Sequence, residues 1–597
     1  LLVAAAVAAA AACSGDDDGG GSADGDPGDC QVVDVASSPE KLELLTDLAE
    51  TFNGSDRADL GDRGCAFVRV QRKSSGLAEQ LLAGGWDEGT EGPRPVIWSP
   101  AASTWGAVLD QQLADDGQEP MAADATPFML TPLVIAMPEP MAQALGYPDT
   151  PIGFGDILTL ARDGAGWGSR GHPEWGAFRL GKTNPNFSTS GLSALVAQAY
   201  AATGKTSGLS LEDLAQPEVA AFARGVESSV VHYGDTTLTF LNNWYRADQR
   251  GNPYQYVSAV AVEEKSVIDY NTGNPDGILD DGEEPRPPRV PLVAITPEEG
   301  TLYSDNPMIV LDAEWVDAAE REGAERFVDY VQQPDNQERV LDYGFRPANP
   351  DVEVGDPITA ENGVDPQPPQ TLLDVPEPEV LARLISDWDR QRKSARVQMV
   401  IDVSGSMGDP GDPSTGETKL DLAKAAAITA LDQFTDADVV GLSVFSTELG
   451  DDADREVLEL VPPRPAGEVR EQIATQIRRL VPTNATPLYD VVQQTYEDAV
   501  GAYDPARINA IVVLSDGRND DGDTSDDRSQ LEELLSTLEA GSEGAASRPV
   551  RVFPIAYGED ADQTTLRQIA EATSAAVYDS SDPTSIDRVF TAVISNF

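Results

Sequence analysis

The sequence predicts an α/β fold built as two successive units, and three features carry that reading. Residues 394–597 alternate apolar runs with stretches of helical periodicity, the pattern of a mostly parallel sheet covered on both faces. Residues 30–350 mix strand-like and helical segments without an internal repeat. Between them, 350–379 is rich in Pro and acid, including Asp365-Pro-Gln-Pro-Pro-Gln370, the composition of a semi-extended spacer. The expected boundaries are a leader remnant over 1–13, a tether over 14–29, a first unit over 30–350, a spacer over 351–393 and a second unit over 394–597.

Within the first unit, strand-like runs fall at 66–70, 95–98, 133–137 and 290–295, and helical periodicity at 41–52, 192–201 and 316–332. The second unit is more regular. Strands are expected at 396–403, 438–446, 508–515, 550–557 and 575–578. Helices are expected at 419–434, 467–480, 488–502, 529–540, 562–573 and 585–597. In such sheets ligands bind outside the carboxyl ends of the strands, at a switch point.

Composition narrows the function. Against 102 Asp and Glu stand 41 Lys and Arg, a net charge of −61. That balance argues against nucleic acid, whose phosphates need clustered Lys and Arg, and against electrostatic adhesion to anionic lipid. Two His and three Cys leave little material for zinc.

The first twelve residues are Leu, Val and Ala, followed by Cys13. Such a run is too short for a bilayer of about 30 Å and fits the apolar core of a signal peptide. With no Met and no basic segment ahead of it, the sequence is expected to begin inside that peptide. Small residues directly before a Cys resemble the lipobox of bacterial lipoproteins, although Ala10 stands where those proteins usually carry Leu. The resemblance implies that Cys13 is lipidated and that the protein is anchored to the cell membrane, on the extracytoplasmic face of a bacterium. The alternative is a plain secretory signal with Cys13 incidental. Ser14 to Asp29 is Gly, Asp and Ser, a flexible and self-repelling tether. Cys30 and Cys65 form an even pair suited to an oxidising location, and a disulfide between them is expected, with two buried thiols as the alternative.

Three polar clusters in the second unit fall at expected strand ends or helix starts. They are Asp402-Val-Ser404-Gly-Ser406, then Thr486 in a loop entering a helix, then Asp516 in Leu514-Ser-Asp-Gly517. All supply oxygen and none supplies nitrogen or sulfur, which suits Mg²⁺, Mn²⁺ or Ca²⁺. Two serines, a threonine and one or two carboxylates leave a divalent ion some residual positive charge and open positions. The alternative is a set of helix caps and turn residues. The five residues resemble the metal-ion-dependent adhesion site of von Willebrand factor type A domains, over roughly 394–597. The resemblance implies a Rossmann-like doubly wound fold. It implies Ser404, Ser406 and Thr486 as direct ligands, Asp402 and Asp516 as ligands direct or through water, and Mg²⁺ as the first choice of cation. It also implies a protein or cell-surface partner that completes the coordination with an acidic residue.

In the first unit, Trp98-Ser-Pro-Ala-Ala-Ser-Thr-Trp105 sets hydroxyls and indoles after a strand. Gly181-Lys-Thr-Asn-Pro-Asn-Phe-Ser-Thr-Ser-Gly191 is a polar loop leading into a helix, so Ser188, Thr189, Ser190 and the first helical N–H groups form a cradle that welcomes neutral or anionic oxygen. Lys182 could add charge. This set resembles the bacterial extracellular solute-binding proteins of ABC transporters, over about 31–350. It implies a two-lobed periplasmic-binding-protein-like domain with a solute between the lobes. The contacts it points to are Ser99, Ser103, Thr104, Ser188, Thr189, Ser190 and Trp244. For each, capping or burial in the core is the alternative. The loop Thr272-Gly-Asn274-Pro-Asp276-Gly277, with Asp280 and Glu283, matches some places of an EF-hand, but an exposed acidic turn is the preferred reading. His172 and His232 are assigned no role, and neither a P-loop nor a Gly-x-Ser-x-Gly elbow is present.

These readings together imply a membrane-anchored binding protein rather than an enzyme, since no base stands positioned beside a nucleophile. A transport receptor that delivers solute to an ABC permease, with the second unit as accessory, is the alternative.

Overall fold

The computed structural model describes residues 26–122, 125–234, 236–277, 284–412, 415–449, 455–522, 525–541 and 548–597. Cys13, most of the tether, and Asp280 and Glu283 of the acidic loop lie outside the described residues. No helix among the described residues is long and apolar enough to cross a membrane.

The first unit has two lobes. In one, Gln31–Ser37 lies parallel to Ala66–Arg72 and Ile97–Ser99, and Pro307–Val310 runs antiparallel between Ile97–Ser99 and Ala125–Pro127. The helix Leu42–Asn53 covers this sheet because Leu44, Leu45, Leu48 and Phe52 share one face, and all four are buried. Cys30 and Cys65 form a disulfide, placed one residue before the paired strands Gln31–Ser37 and Ala66–Arg72 and so holding the register Gln31↔Ala66. The other lobe is built on the long strand Met129–Pro138, with Ala259–Glu263, Leu180–Thr183 and Val230–Gly234 beside it. The chain passes between lobes at Phe128, returns at Asp305–Asn306, and crosses again before Arg346, which pairs with Leu130. The Phe128 N–H donates to both Asp305 O and Asn306 O at 3.3 Å, which ties the first two crossings together.

The stretch 351–393 is not a free spacer. Ile358 and Val364 are buried in the second lobe, and the Arg346 guanidinium donates to Asp365 O and Pro366 O. A helix then runs Pro378–Gln391, opened by Pro at its first position. Its buried stripe Val380, Leu381, Leu384 and Trp388 packs on helix Thr104–Asp115 of one lobe and on helices Thr189–Thr203 and Pro217–Glu227 of the other. This helix straps the two lobes.

The second unit is a six-stranded sheet in the order Val457–Pro465, Val439–Phe445, Ala395–Asp402, Ile508–Ser515, Arg551–Tyr557, Tyr578–Ser580. All pairings are parallel except the first, where the edge strand Val457–Pro465 is antiparallel and shifts register. That strand escapes the sequence reading because Pro462, Pro463 and Pro465 lie in it. Proline is tolerated only because the strand is at an edge. The last strand also begins three residues later than expected.

The two units touch directly. Asn184 Nδ2 donates to Ser595 O at 3.0 Å, and Tyr233 N–H donates to Asn596 O at 3.1 Å. Arg551 lies over the Tyr256 ring, and Arg246 pairs with Glu571 at 3.0 Å.

Candidate metal centre and solute cleft

The central strands Ala395–Asp402 and Ile508–Ser515 are parallel, with Ile401 level with Leu514. From the first of them the chain builds outward to one edge, and from the second to the other. Their carboxyl ends therefore open a crevice, and Asp402 and Asp516 stand at it, both with no exposed surface. Asp402 Oδ1 accepts the Ser404 N–H at 2.7 Å and Oδ2 accepts Ser515 Oγ at 2.9 Å. Ser404 Oγ and Ser406 Oγ are 3.1 Å apart, and Ser406 Oγ donates to Asp516 Oδ1 at 2.7 Å. The loop before helix Leu488–Gly501 folds over them. Gly405 N–H donates to Asn484 O, Thr483 N–H to Val403 O, and Ser446 Oγ to both Thr483 O and Ala485 O. This brings Thr486 against Gly517, where an added Cβ would lie 3.3 Å from Thr486 Oγ1. The five residues singled out in the sequence thus meet in one crevice.

Asp402 is pushed up to about 7, first by burial and then by the negative charge of Asp516, against the bonds it accepts from Ser404 and Ser515. The counter-charge in contact is Lys419, whose Nζ lies 3.0 Å from Asp516 Oδ2. Two buried carboxylates and one ammonium leave a surplus negative charge beside three hydroxyls. This donor set fits a hard divalent cation held by Ser404, Ser406, Thr486, Asp402 and Asp516.

The cleft between the lobes is lined by Ser38, Glu40, Ser74, Ser75, Phe187, Ser188, Thr189, Thr236, Thr237, Glu263 and Ser266, among others. Four helices begin here: Ser75–Gly84, Thr189–Thr203, Thr237–Gln249 and Glu264–Thr272. The Ser74 and Ser188 side chains do not cap their helices. The lobes meet closely here, with the Gly76 N–H donating to Phe187 O at 3.2 Å and Trp105 Nε1 to Thr189 Oγ1 at 2.8 Å. Glu263 is pushed up to about 7 by burial and, less, by the charge of Glu40.

Of the seven sequence candidates, Ser188 and Thr189 line this cleft. Ser190 lies just behind, its Oγ bonded to Thr183, Ser188 and Thr237 hydroxyls. The others serve elsewhere. Ser99 Oγ donates to Pro307 O, the Ser103 N–H donates to Asp305, and Thr104 is buried at the start of its helix. Trp244 is fully buried, its indole N–H on Pro253 O and its ring beside Tyr270, so it is core. Lys182 is buried too, paired with Glu227 and turned away from the cradle. Sequence reasoning missed Ser38, Ser74, Ser75, Thr236, Thr237, Glu263 and Ser266. The signal that could have found them is hydroxyls repeated at successive helix starts. In the acidic loop, Asp276 accepts a bond from Asn242 Nδ2 at 2.6 Å.

The chain matches the family model described as bacterial extracellular solute-binding protein over residues 33–346, just over half its length, and the von Willebrand factor type A domain model over 397–592. Among solved structures it is similar to a von Willebrand factor type A protein from Catenulispora acidiphila, 21% identical with a TM-score of 0.27, covering 34% of this chain and 42% of that one. It is also similar to the sulfate-binding protein SubI from Mycobacterium tuberculosis, 15% identical with a TM-score of 0.34, covering 54% and 88%. A third similar structure is the periplasmic binding protein AfuA from Actinobacillus pleuropneumoniae, solved with fructose-6-phosphate bound, 15% identical with a TM-score of 0.40, covering 61% and 99%. No curated protein matches. The chain belongs to the bacterial extracellular solute-binding proteins and carries a von Willebrand factor type A domain at its C-terminal end.

Proposed function

We propose that this is a lipid-anchored, extracytoplasmic binding protein whose C-terminal domain grips a protein or surface ligand through a divalent cation. The observation that carries the reading is the convergence of Asp402, Ser404, Ser406, Thr486 and Asp516 at the switch point of the sheet. Mg²⁺ is the preferred ion, with Mn²⁺ or Ca²⁺ as alternatives. When bound, such an ion supplies an electrophilic centre that an incoming carboxylate can occupy. The chain's own residues orient the site: Ser515 and the Ser404 N–H fix both oxygens of Asp402, and Ser406 fixes Asp516. The reading is of binding and not catalysis, because both His residues precede this domain and the buried acids face hydroxyls and not a nucleophile with its base.

The N-terminal domain binds a small oxygen-rich solute in the cleft, where hydroxyls and helix starts supply the donors. Delivery of that solute to an ABC permease is the second reading, favoured by the family match alone. Cys13 supplies the anchor in either case.

The test is calorimetric titration of the full chain with Mg²⁺ and Mn²⁺, with and without Asp402→Ala. Saturable uptake that Asp402→Ala abolishes while circular dichroism stays unchanged is the expected result. Absence of uptake by the unsubstituted protein overturns the proposal.

A further inference from the structure

We infer that Lys419 is a built-in counter-cation of the metal centre, which holds Asp516, weakens divalent-cation binding and leaves the loaded site positively charged toward an acidic ligand. The inference rests on the metal-binding reading above and names what sets the affinity of that site.

The seat of this lysine is constructed. Lys419 is the first residue of the helix Lys419–Ala430, where a cation meets the unfavourable end of the helix dipole. It is nevertheless 7% exposed. Its backbone is held at both ends, with its N–H on Asp409 O at 2.9 Å and its carbonyl accepting Tyr557 Oη at 2.7 Å. Its ammonium rests against Gly558, where a Cβ would lie 3.0 Å from Nζ. The φ of Gly558 is +78°, a conformation that glycine adopts freely, so the seat excludes a side chain on two grounds. What holds the charge there is Asp516 Oδ2, while Asp516 Oδ1 faces Ser406.

Charge arithmetic gives the consequence. With both acids ionised, Asp402 and Asp516 contribute two negative charges and Lys419 one positive charge. With a divalent ion added, the cluster carries +1 with the lysine and zero without it. In a water-poor crevice that difference acts at close range. Lys419 therefore opposes the ion, and the loaded site keeps a charge that draws a carboxylate.

The experiment titrates the full-length chain with Mn²⁺ alone, reading free Mn²⁺ by electron paramagnetic resonance, for the unsubstituted protein, Lys419→Met and Lys419→Gln. Gln keeps an N–H donor on a slightly shorter side chain and removes the charge, so it serves if the Met variant fails to fold. Both variants are expected to bind Mn²⁺ at least tenfold more tightly. Damage to the fold cannot produce that gain. Equal or weaker binding by a folded Lys419→Gln protein, with uptake by the unsubstituted protein intact, overturns the role of Lys419 and leaves the metal centre standing. Failure of all three proteins to take up Mn²⁺ overturns the metal-centre reading and this inference together.

Discussion

Glu263 stands at the start of helix Glu264–Thr272, in the cleft wall, and the fold holds its carboxyl near 7 against an ordinary value of 4.5. Burial is the larger cause and the charge of Glu40 the smaller. A carboxyl whose folded value is raised is favoured in its neutral form. Its contribution to stability is therefore most favourable below pH 4.5, declines as pH rises from 4.5 to 7, and stays level above 7. A shift of that size corresponds to about 3 kcal/mol at most once the group is fully ionised, and to about 1 kcal/mol near pH 5. Glu263→Gln keeps the shape and removes the titration. It should stabilise the protein by up to about 3 kcal/mol above pH 8 and by about 1 kcal/mol near pH 5. Tryptophan fluorescence isolates the effect, because all 8 Trp lie before residue 394 and report only the solute-binding domain and its strap. Urea unfolding followed by that signal at both pH values is the assay. A stabilisation that does not change with pH, or a variant less stable than the parent at both values, refutes the reasoning.

Two further predictions follow from contacts outside the metal centre. Gly76→Ala would set a Cβ 2.1 Å from Asn186 O, so the lobes must part by more than an ångström, and amide exchange at 74–78 and 186–189 should quicken at least tenfold; unchanged exchange there contradicts the close approach. Arg392→Met removes the partner of Asp438, which has no exposed surface and keeps only its bonds from Thr435 and Ala395. The C-terminal domain should lose about 3 kcal/mol by far-ultraviolet circular dichroism, and a loss under about 1 kcal/mol argues that those donors suffice.

The candidate metal centre was legible because each part of it is local. Asp402 and Asp516 follow strands whose apolar runs are unambiguous, and Thr486 precedes a strongly periodic helix, so position in the chain already implied position at the sheet's end. The cleft was less legible. Its wall comes from stretches as distant as Ser38 and Ser266, and a hydroxyl in such a stretch looks the same whether it faces solvent, a ligand or a carbonyl. Ser99 and Ser103 were read as contacts, yet Ser99 bonds the returning strand at Pro307 and the Ser103 backbone bonds Asp305, which are demands of the crossing between lobes. The helix Pro378–Gln391 was hidden for a different reason. Pro and acid dominate the stretch before it, and composition averaged over 351–393 outweighs the stripe Val380, Leu381, Leu384 and Trp388.

Both sites use the same device, hydroxyls gathered where strands end and helices begin, and differ in the charge left over. In the C-terminal crevice the acids outnumber the ammonium, so the surplus favours a cation. In the cleft, four helix starts bring partial positive charge together, opposed by Glu40 and Glu263. Below about 7 the carboxyl of Glu263 is neutral and can itself donate a hydrogen bond, which leaves Glu40 as the charge opposed to the helix starts. Above that value a solute must bring a donor of its own to face Glu263. A turn just behind the wall of this cleft touches the second domain. Asn184 gives its side-chain amide to Ser595 O, and its carbonyl accepts the N–H groups of Phe187 and Ser188, both in the cleft wall. One turn thus borders both the cleft wall and the contact with the von Willebrand factor type A domain.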